Sequence, residues 1–186
     1  MKKDIILCGV GGQGILSIAT VIGQAATDAG LCLKQAEVHG MSQRGGDVQS
    51  NLRLSDGPIW SDLIPLSGAD LIISMEPMEA LRYVPWLAPD GVIVTSSKPF
   101  VNIPSYPEEA ALDAAFEALG RKVVKVDIEQ AAREAGNPKG ANMVLLGAAA
   151  PYIGILSPDD LKEALKTVFA RKGEAVVQAN LKCFER

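Results

Sequence analysis

Two short stretches of this chain carry residues whose types and spacing suit chemistry on an anionic ligand. In the first, Gly9-Val-Gly-Gly-Gln-Gly14, a glycine turn follows the apolar run Asp4 to Cys8 and precedes a segment of helical spacing that begins at Ile15. Strand, glycine turn and helix together form the entry to a Rossmann-like βαβ unit. Gly9 makes the tight turn, Gly11 lets backbone N–H groups approach a ligand, and Gly14 seats the helix on the strand. Free N–H groups at the helix start, with the macrodipole behind them, favour a phosphate or carboxylate beside Gly12 and Gln13. The spacing also fits half of a P-loop, but Ile15 and Leu16 stand where Lys and Ser/Thr belong, which argues against a nucleoside triphosphatase. In the second stretch, His39 to Asp47, glycines flank an arginine on both sides. Gln43, Arg44, Gly45 and Gly46 are therefore read as a ligand or partner contact on a loop whose backbone can come close to something. Glu37 lies 23 residues beyond Gly14, near the spacing of an acid that binds ribose hydroxyls.

Other chemistries are missing. The 3 cysteines, Cys8, Cys32 and Cys183, are scattered without a CxxC, so they supply neither a cluster or zinc site nor a disulfide framework. The single histidine, His39, excludes most histidine-based metal sites and is read as a loop or packing residue. No residue is assigned a catalytic or metal-binding role. A net charge of -4 gives no reason to expect nucleic acid or an anionic membrane as partner. The apolar run after Met-Lys-Lys is too short for a signal peptide, and Met143 to Leu156 falls short of a membrane span, so a cytoplasmic location is expected.

The elements that must position these residues follow in order. Gln13 to Ala29 reads as a helix closed by Gly30. Its uncharged polar stripe of Ser17, Thr20, Gln24 and Thr27 leaves room for another subunit on that face. Leu31 to Val38 reads as a second strand. Val48 to Ser55 alternates as a half-exposed strand and, through the turn Asp56-Gly57-Pro58, pairs back on Ile59-Trp60 as an antiparallel hairpin. Ala69 to Ser74 is a buried strand that runs into Glu76-Pro77 and a short helix. The turn Pro89-Asp90-Gly91 precedes a strand at Val92 to Thr95, and three prolines make Lys98 to Pro107 irregular. A helix from Glu108 to Leu119, a strand from Lys122 to Val126 and a helix capped by Asp127 come next. The C-terminal third reads as helical: Ala141 to Ala150, stopped by Pro151; a second helix started by Ser157-Pro-Asp-Asp; and Glu174 to Phe184.

With 186 residues, 48% of them hydrophobic, and no linker or internal repeat, residues 1–186 read as one domain. Its class is α/β: a three-layer, Rossmann-like, mostly parallel sheet with helices on both faces and the hairpin as an antiparallel addition. In such a sheet ligands collect where strands end and helices begin. The glycine turn, Glu37, the Arg44 loop, Glu76 and Asp127 are expected there.

Gly9 to Gly14 and Gly40-Met-Ser-Gln-Arg-Gly-Gly46, with Ser74-Met-Glu-Pro-Met-Glu-Ala80 and Asn142-Met-Val-Leu-Leu-Gly147, resemble the gamma-type domain of 2-oxoacid:ferredoxin oxidoreductases, and within it the indolepyruvate-type small subunits. The resemblance spans nearly the whole chain. It implies an enzyme that oxidatively decarboxylates an aryl 2-oxoacid to its acyl-coenzyme A and passes electrons to ferredoxin. It further implies a large (alpha) partner subunit holding thiamine diphosphate, magnesium and 4Fe–4S clusters, since neither the cysteines nor any Gly-Asp-Gly…Asn signature provide for them here. The motif residues carried over as a cofactor-facing set are Gly9, Gly11, Gly12, Gln13, Gly14, Gln43, Arg44, Gly45, Gly46, Glu76 and Asn142. The resemblance implies that they either shape a wall near the partner's active site or receive the phosphates of coenzyme A. The competing readings are a stand-alone NAD-dependent dehydrogenase using Gly9, Gly11, Gly14 and Glu37, and a non-catalytic assembly module.

Overall fold

A computed structural model of the chain describes residues 1–39 and 45–186. One mixed sheet of six strands organises them: β1 Lys2–Val10, β2 Cys32–His39, β3 Asp47–Ser55, β4 Ala69–Ser74, β5 Leu87–Ser96 and β6 Lys122–Val126. Their spatial order is β2-β3-β1-β4-β5-β6. The pairs β1/β4, β4/β5 and β5/β6 are parallel, while β3 runs antiparallel to both β1 and β2. The fold is therefore α/β with a mostly parallel sheet, and seven α-helices cover it among the described residues: α1 Ile15–Asp28, α2 Pro77–Arg82, α3 Glu109–Ala118, α4 Ile128–Glu134, α5 Ala141–Ile153, α6 Pro158–Phe169 and α7 Glu174–Phe184.

Alternation along the strands divides the apolar side chains between two cores. Ile5, Leu7, Leu52, Leu54, Leu71, Ile73 and Val94 face the larger one, built with α1, α4, α5, α6 and α7. Ile6, Cys8, Ile72 and Ile93 face the smaller one, closed by Ala80, Tyr83, Phe116 and the loop residue Ile64. Helix α5 is apolar on every side, which is the pattern of a helix with neighbours all round. It packs against both the sheet and α7. A side chain at Gly147 would strike the carbonyl of Phe184, so the close approach of α5 and α7 requires glycine there. Helix α1 has α6 as a second wall, and the groups of its polar stripe turn inward on the helix: Thr20 and Thr27 hydroxyls donate to the carbonyls of Leu16 and Gly23, both at 2.8 Å.

Three expectations need correction. The antiparallel strand exists, but it does not pair back on Ile59-Trp60. It inserts between β1 and β2, where both of its edges are satisfied, whereas Pro58 lacks a donor and Trp60 is 91% exposed. The chain from Ser61 to Ile64 instead folds over β3: the Arg53 guanidinium donates to the carbonyls of Ser61 and Leu63, each at 3.0 Å, and Asn51 Oδ1 accepts from the Ile64 amide at 3.1 Å. Pro89-Asp90-Gly91 does not precede its strand. It is an irregularity inside β5, between the pairs Leu87 with Ala69 and Val92 with Leu71. Pro151 does not stop α5, which continues two residues past it to Ile153: the proline forfeits its own hydrogen bond, but its fixed φ is itself helical.

Candidate functional site

The C-terminal ends of β1, β4 and β5 bring the site together. Cys8 pairs with Ser74 and Ser74 with Thr95, so the glycine turn, the Met75-Glu76 corner and the segment after Ser96 emerge side by side. Gly12 and Gly14 have φ of 101° and 87°, in the region that favours glycine. Gly14 caps α1 with no side-chain help. The N–H groups of Gly12 and Gly14 meet no acceptor among the described residues, which leaves donors at the positive end of α1. That of Gly11 is spent: it donates to the Gly46 carbonyl at 2.8 Å, and the Gly45 amide returns to the Gly11 carbonyl at 3.3 Å. Gln13 clips the turn from within. Its Oε1 accepts from the Val10 amide at 2.8 Å, and its Nε2 donates to the Met75 carbonyl at 3.4 Å.

A cleft of about 250 Å³ opens beside this turn. Gln13, Asn142, Lys98, Pro99 and Phe100 line it, together with Arg133, Lys139 and the carboxylate Glu129. Three cations thus border one opening at the end of the strands. Lys98 and Arg133 reach Glu109 and Glu129 at 3.4 and 3.8 Å in exposed pairs that hold a cation only weakly. Asn142 is the first-turn residue of α5 that reaches the turn, donating through Nδ2 to the Gly14 carbonyl at 3.2 Å.

Glu76 stands beside this cleft but does not line it. It is fully buried and caps α2, its Oε2 accepting from the Glu79 amide at 2.9 Å. Its Oε1 accepts from the Phe100 amide at 3.3 Å and from the Tyr106 hydroxyl. Burial, and then the Glu76 carboxylate, push the Tyr106 phenol up, so it stays protonated and a donor at neutral pH. A second buried carboxyl, Glu79, accepts the Arg82 guanidinium at 2.8 and 3.2 Å. Burial pushes it up against the pull of Arg82.

The sequence-derived set is thus partly assembled. Gly9, Gly11, Gly12, Gln13, Gly14, Gly45, Gly46 and Asn142 gather at one edge, with Glu76 behind them. Gln43 and Arg44 lie outside the described residues. Asp127 caps α4 through the Gln130 amide at 2.9 Å. Glu37 sits on β2, and β3 separates β2 from β1. In a dinucleotide-binding sheet the strand bearing the ribose acid lies next to the glycine-turn strand; here it is displaced by one strand. Lys98, Arg133 and Lys139 were missed, because a lysine after a strand or an arginine on a short amphipathic helix reads as a solvated charge. Asn102 and Tyr106 were missed as well, inside a stretch legible only as irregular.

Cluster chemistry does not fit these residues. Cys8 and Cys183 are buried, Cys32 is exposed, and they sit on β1, α7 and β2. Among the described residues no three His, Cys, Asp or Glu side chains converge to hold a metal ion.

A mixed sheet of this order with a glycine turn at its edge is an α/β domain, and the chain belongs to the pyruvate ferredoxin/flavodoxin oxidoreductase family, whose profile matches residues 4–186. Among curated relatives, it is 36% identical over 194 aligned residues to the indolepyruvate oxidoreductase subunit IorB of Thermococcus kodakarensis, covering 100% of this chain and 94% of that one. The IorB subunit of Pyrococcus horikoshii is 37% identical with the same coverage. Among solved structures, the gamma subunit of a keto/oxoacid ferredoxin oxidoreductase from Geobacter sulfurreducens has a TM-score of 0.72 at 25% identity, with 98% of this chain and 94% of that one covered. The 2-oxoglutarate:ferredoxin oxidoreductase of Magnetococcus marinus shares the fold, with a TM-score of 0.77 at 24% identity over 99% of this chain and 30% of that longer one. No helix among the described residues is long and apolar enough to cross a membrane.

Proposed function

We propose that this chain is the small subunit of an indolepyruvate-type 2-oxoacid:ferredoxin oxidoreductase. The observation that carries the reading is its full-length correspondence with IorB subunits, 36% identical across 94% of the relative. Among the described residues the chain offers a glycine turn with two amide donors that meet no acceptor, a cleft bordered by Lys98, Arg133 and Lys139, and no three side chains that converge to hold a metal. Carbon–carbon cleavage and electron transfer therefore belong to a larger partner, where thiamine diphosphate with its magnesium supplies carbanion stabilisation when bound. The role left to this chain is to wall that site and orient coenzyme A. Lys98, Arg133 and Lys139 attract the phosphates, and the amides of Gly12 and Gly14 are available to them as neutral donors.

Co-expression with a cysteine-rich, thiamine-dependent chain tests the assignment. The complex should reduce ferredoxin with indolepyruvate and coenzyme A, and this chain alone should not. Turnover of a 2-oxoacid by the isolated polypeptide would overturn it. Within the complex, Arg44→Ala and Lys98→Ala should each raise the Michaelis constant for coenzyme A several-fold, by roughly the worth of one charge-assisted contact. Unchanged constants in an intact complex would remove coenzyme A from this chain.

A further inference from the structure

The segment after β5 spends its polar side chain on the protein and leaves its apolar ones in water. Asn102 Nδ2 donates to the Gly45 carbonyl at 2.9 Å, while Phe100, Val101 and Ile103 stand 44%, 67% and 41% exposed. Single apolar residues on a surface need no explanation, but three in four consecutive positions form a patch. Looseness does not account for it, because the backbone is held on both sides. The Ser97 amide donates to the Val126 carbonyl at 2.8 Å, and the Lys98 amide to Ser96 Oγ at 3.1 Å. The Phe100 amide reaches Glu76 at 3.3 Å, and the Tyr106 hydroxyl donates to the same carboxylate. The Tyr106 amide closes a turn on the Ile103 carbonyl at 3.2 Å. The patch borders the candidate site: Phe100 lines the cleft, and Gly45 is bonded to Gly11 in the glycine turn.

We propose that Phe100, Val101 and Ile103 are the surface on which the larger partner chain docks, so that the partner sits against the edge of the cleft. The inference rests on the small-subunit reading above and names the surface that reading requires. A backbone already fixed in place spares the ordering cost of binding, which suits a permanent contact. Two observations choose the occupant. In the longer Magnetococcus marinus chain the same fold makes up 30% of the length, and a covalent link keeps it beside the rest. A separate chain has no such link and needs a contact surface in its place. A second copy of this chain fits less well. A two-fold contact through Phe100 would bring the two clefts together, and Lys98, Arg133 and Lys139 outnumber Glu129 among the charged residues that line each one. Cations would then face their own copies, and such pairing repels.

The test is the affinity of this chain for the cysteine-rich, thiamine-dependent chain of the co-expression above. Val101→Glu and, separately, Ile103→Gln should each weaken assembly by about tenfold or more, the scale of an interface position that carries binding energy. Urea unfolding of the isolated Val101→Glu chain should match wild type, because the side chain is exposed. Trp60→Ser is the control: Trp60 is also exposed, but it follows β3, whose end at Ser55 pairs with Lys2 at the far end of β1 from the glycine turn. It should leave assembly unchanged. In the wild-type complex, hydrogen exchange should slow at residues 101–103 and stay as it is at 59–63. If both patch variants assemble as tightly as wild type, or if Trp60→Ser is the one that weakens assembly, the proposal is overturned and the function proposed above stands. A dimer of the isolated chain that Val101→Glu dissolves would hand the surface to a second copy and overturn it as well. If the wild-type chain does not assemble at all, the small-subunit reading falls, and this surface with it.

Discussion

Asn142, on the first turn of α5, donates to the carbonyl of Gly14, 128 positions earlier in the chain, and its Nδ2 stands 2.7 Å from where a side chain on Gly14 would begin. The helix that fills the larger core thereby fixes the cap of the helix that starts the site. Gly14→Ala should be costly twice over, through its positive φ and through Asn142. A loss of about 2 kcal/mol is expected in urea unfolding. Gly12→Ala has a similar backbone penalty but open space around it, and should lose about 1 kcal/mol. Equal losses would mean that the Asn142 contact is idle.

Arg53 holds the chain after β3 in place. It grips the fully buried Asp4 with Nε at 2.8 Å and Nη2 at 3.0 Å while its other nitrogen serves two loop carbonyls. Arg53→Met leaves Asp4 with the exposed Lys2 as its remaining cation partner. Stability should fall by about 3 kcal/mol, as for a broken buried pair, and a protease should cut between residues 58 and 66. A loss well under 1 kcal/mol would place this pair with ordinary surface bridges.

The start of α6 should be acid-sensitive. Asp160 accepts from the Ser157 hydroxyl at 2.7 Å and the Ser157 amide at 2.8 Å, and these bonds hold its carboxyl below the usual aspartate range. A depressed folded-state value stabilises the fold above the unfolded value of about 4, and the gain is lost as pH falls through the folded value. Asp160→Asn should therefore be less stable than wild type at pH 7 and approach it near pH 3. Ser157→Ala should lose about 1 kcal/mol at neutral pH.

Thiol labelling tests the packing of both cores. Burial pushes the Cys8 and Cys183 thiols up, so both stay protonated and shielded at pH 8, while Cys32 lies open on the edge strand. Iodoacetamide should add one group to the folded chain, on Cys32, and three after unfolding. Rapid labelling of Cys8 without denaturant would mean that the sheet opens beneath α2.

How much of this could be read from the residues varies with what each signal encodes. The strand 122–126 and the helix 174–184 were legible to the residue because Gly120 and Gly173 mark a break just before each. The alternation of Val48 to Ser55 marked a strand but overstated its exposure, since no residue from 48 to 55 is exposed and Asn51 is buried on the side expected to face water. It could not report which strands lie alongside, because hydrogen-bonding partners leave no mark on periodicity. Pro151 misled because its helical φ lets the chain run on for two residues at the cost of one hydrogen bond. At the site, the glycine turn and Asn142 were visible through motif and resemblance. Tyr106 and Asn102 were not, since their roles depend on where an irregular segment crosses the molecule.

The insertion of β3 has a consequence for the connection that leads into it. Val10 faces Asp47 and His39 faces Val48, so both stumps of the 40–46 connection are nailed to the sheet beside the glycine turn. A one-residue slip would turn every β3 side chain to the wrong core. The two attachment points are therefore set by the sheet itself, as hinges are set by the frame and not by the handle they carry.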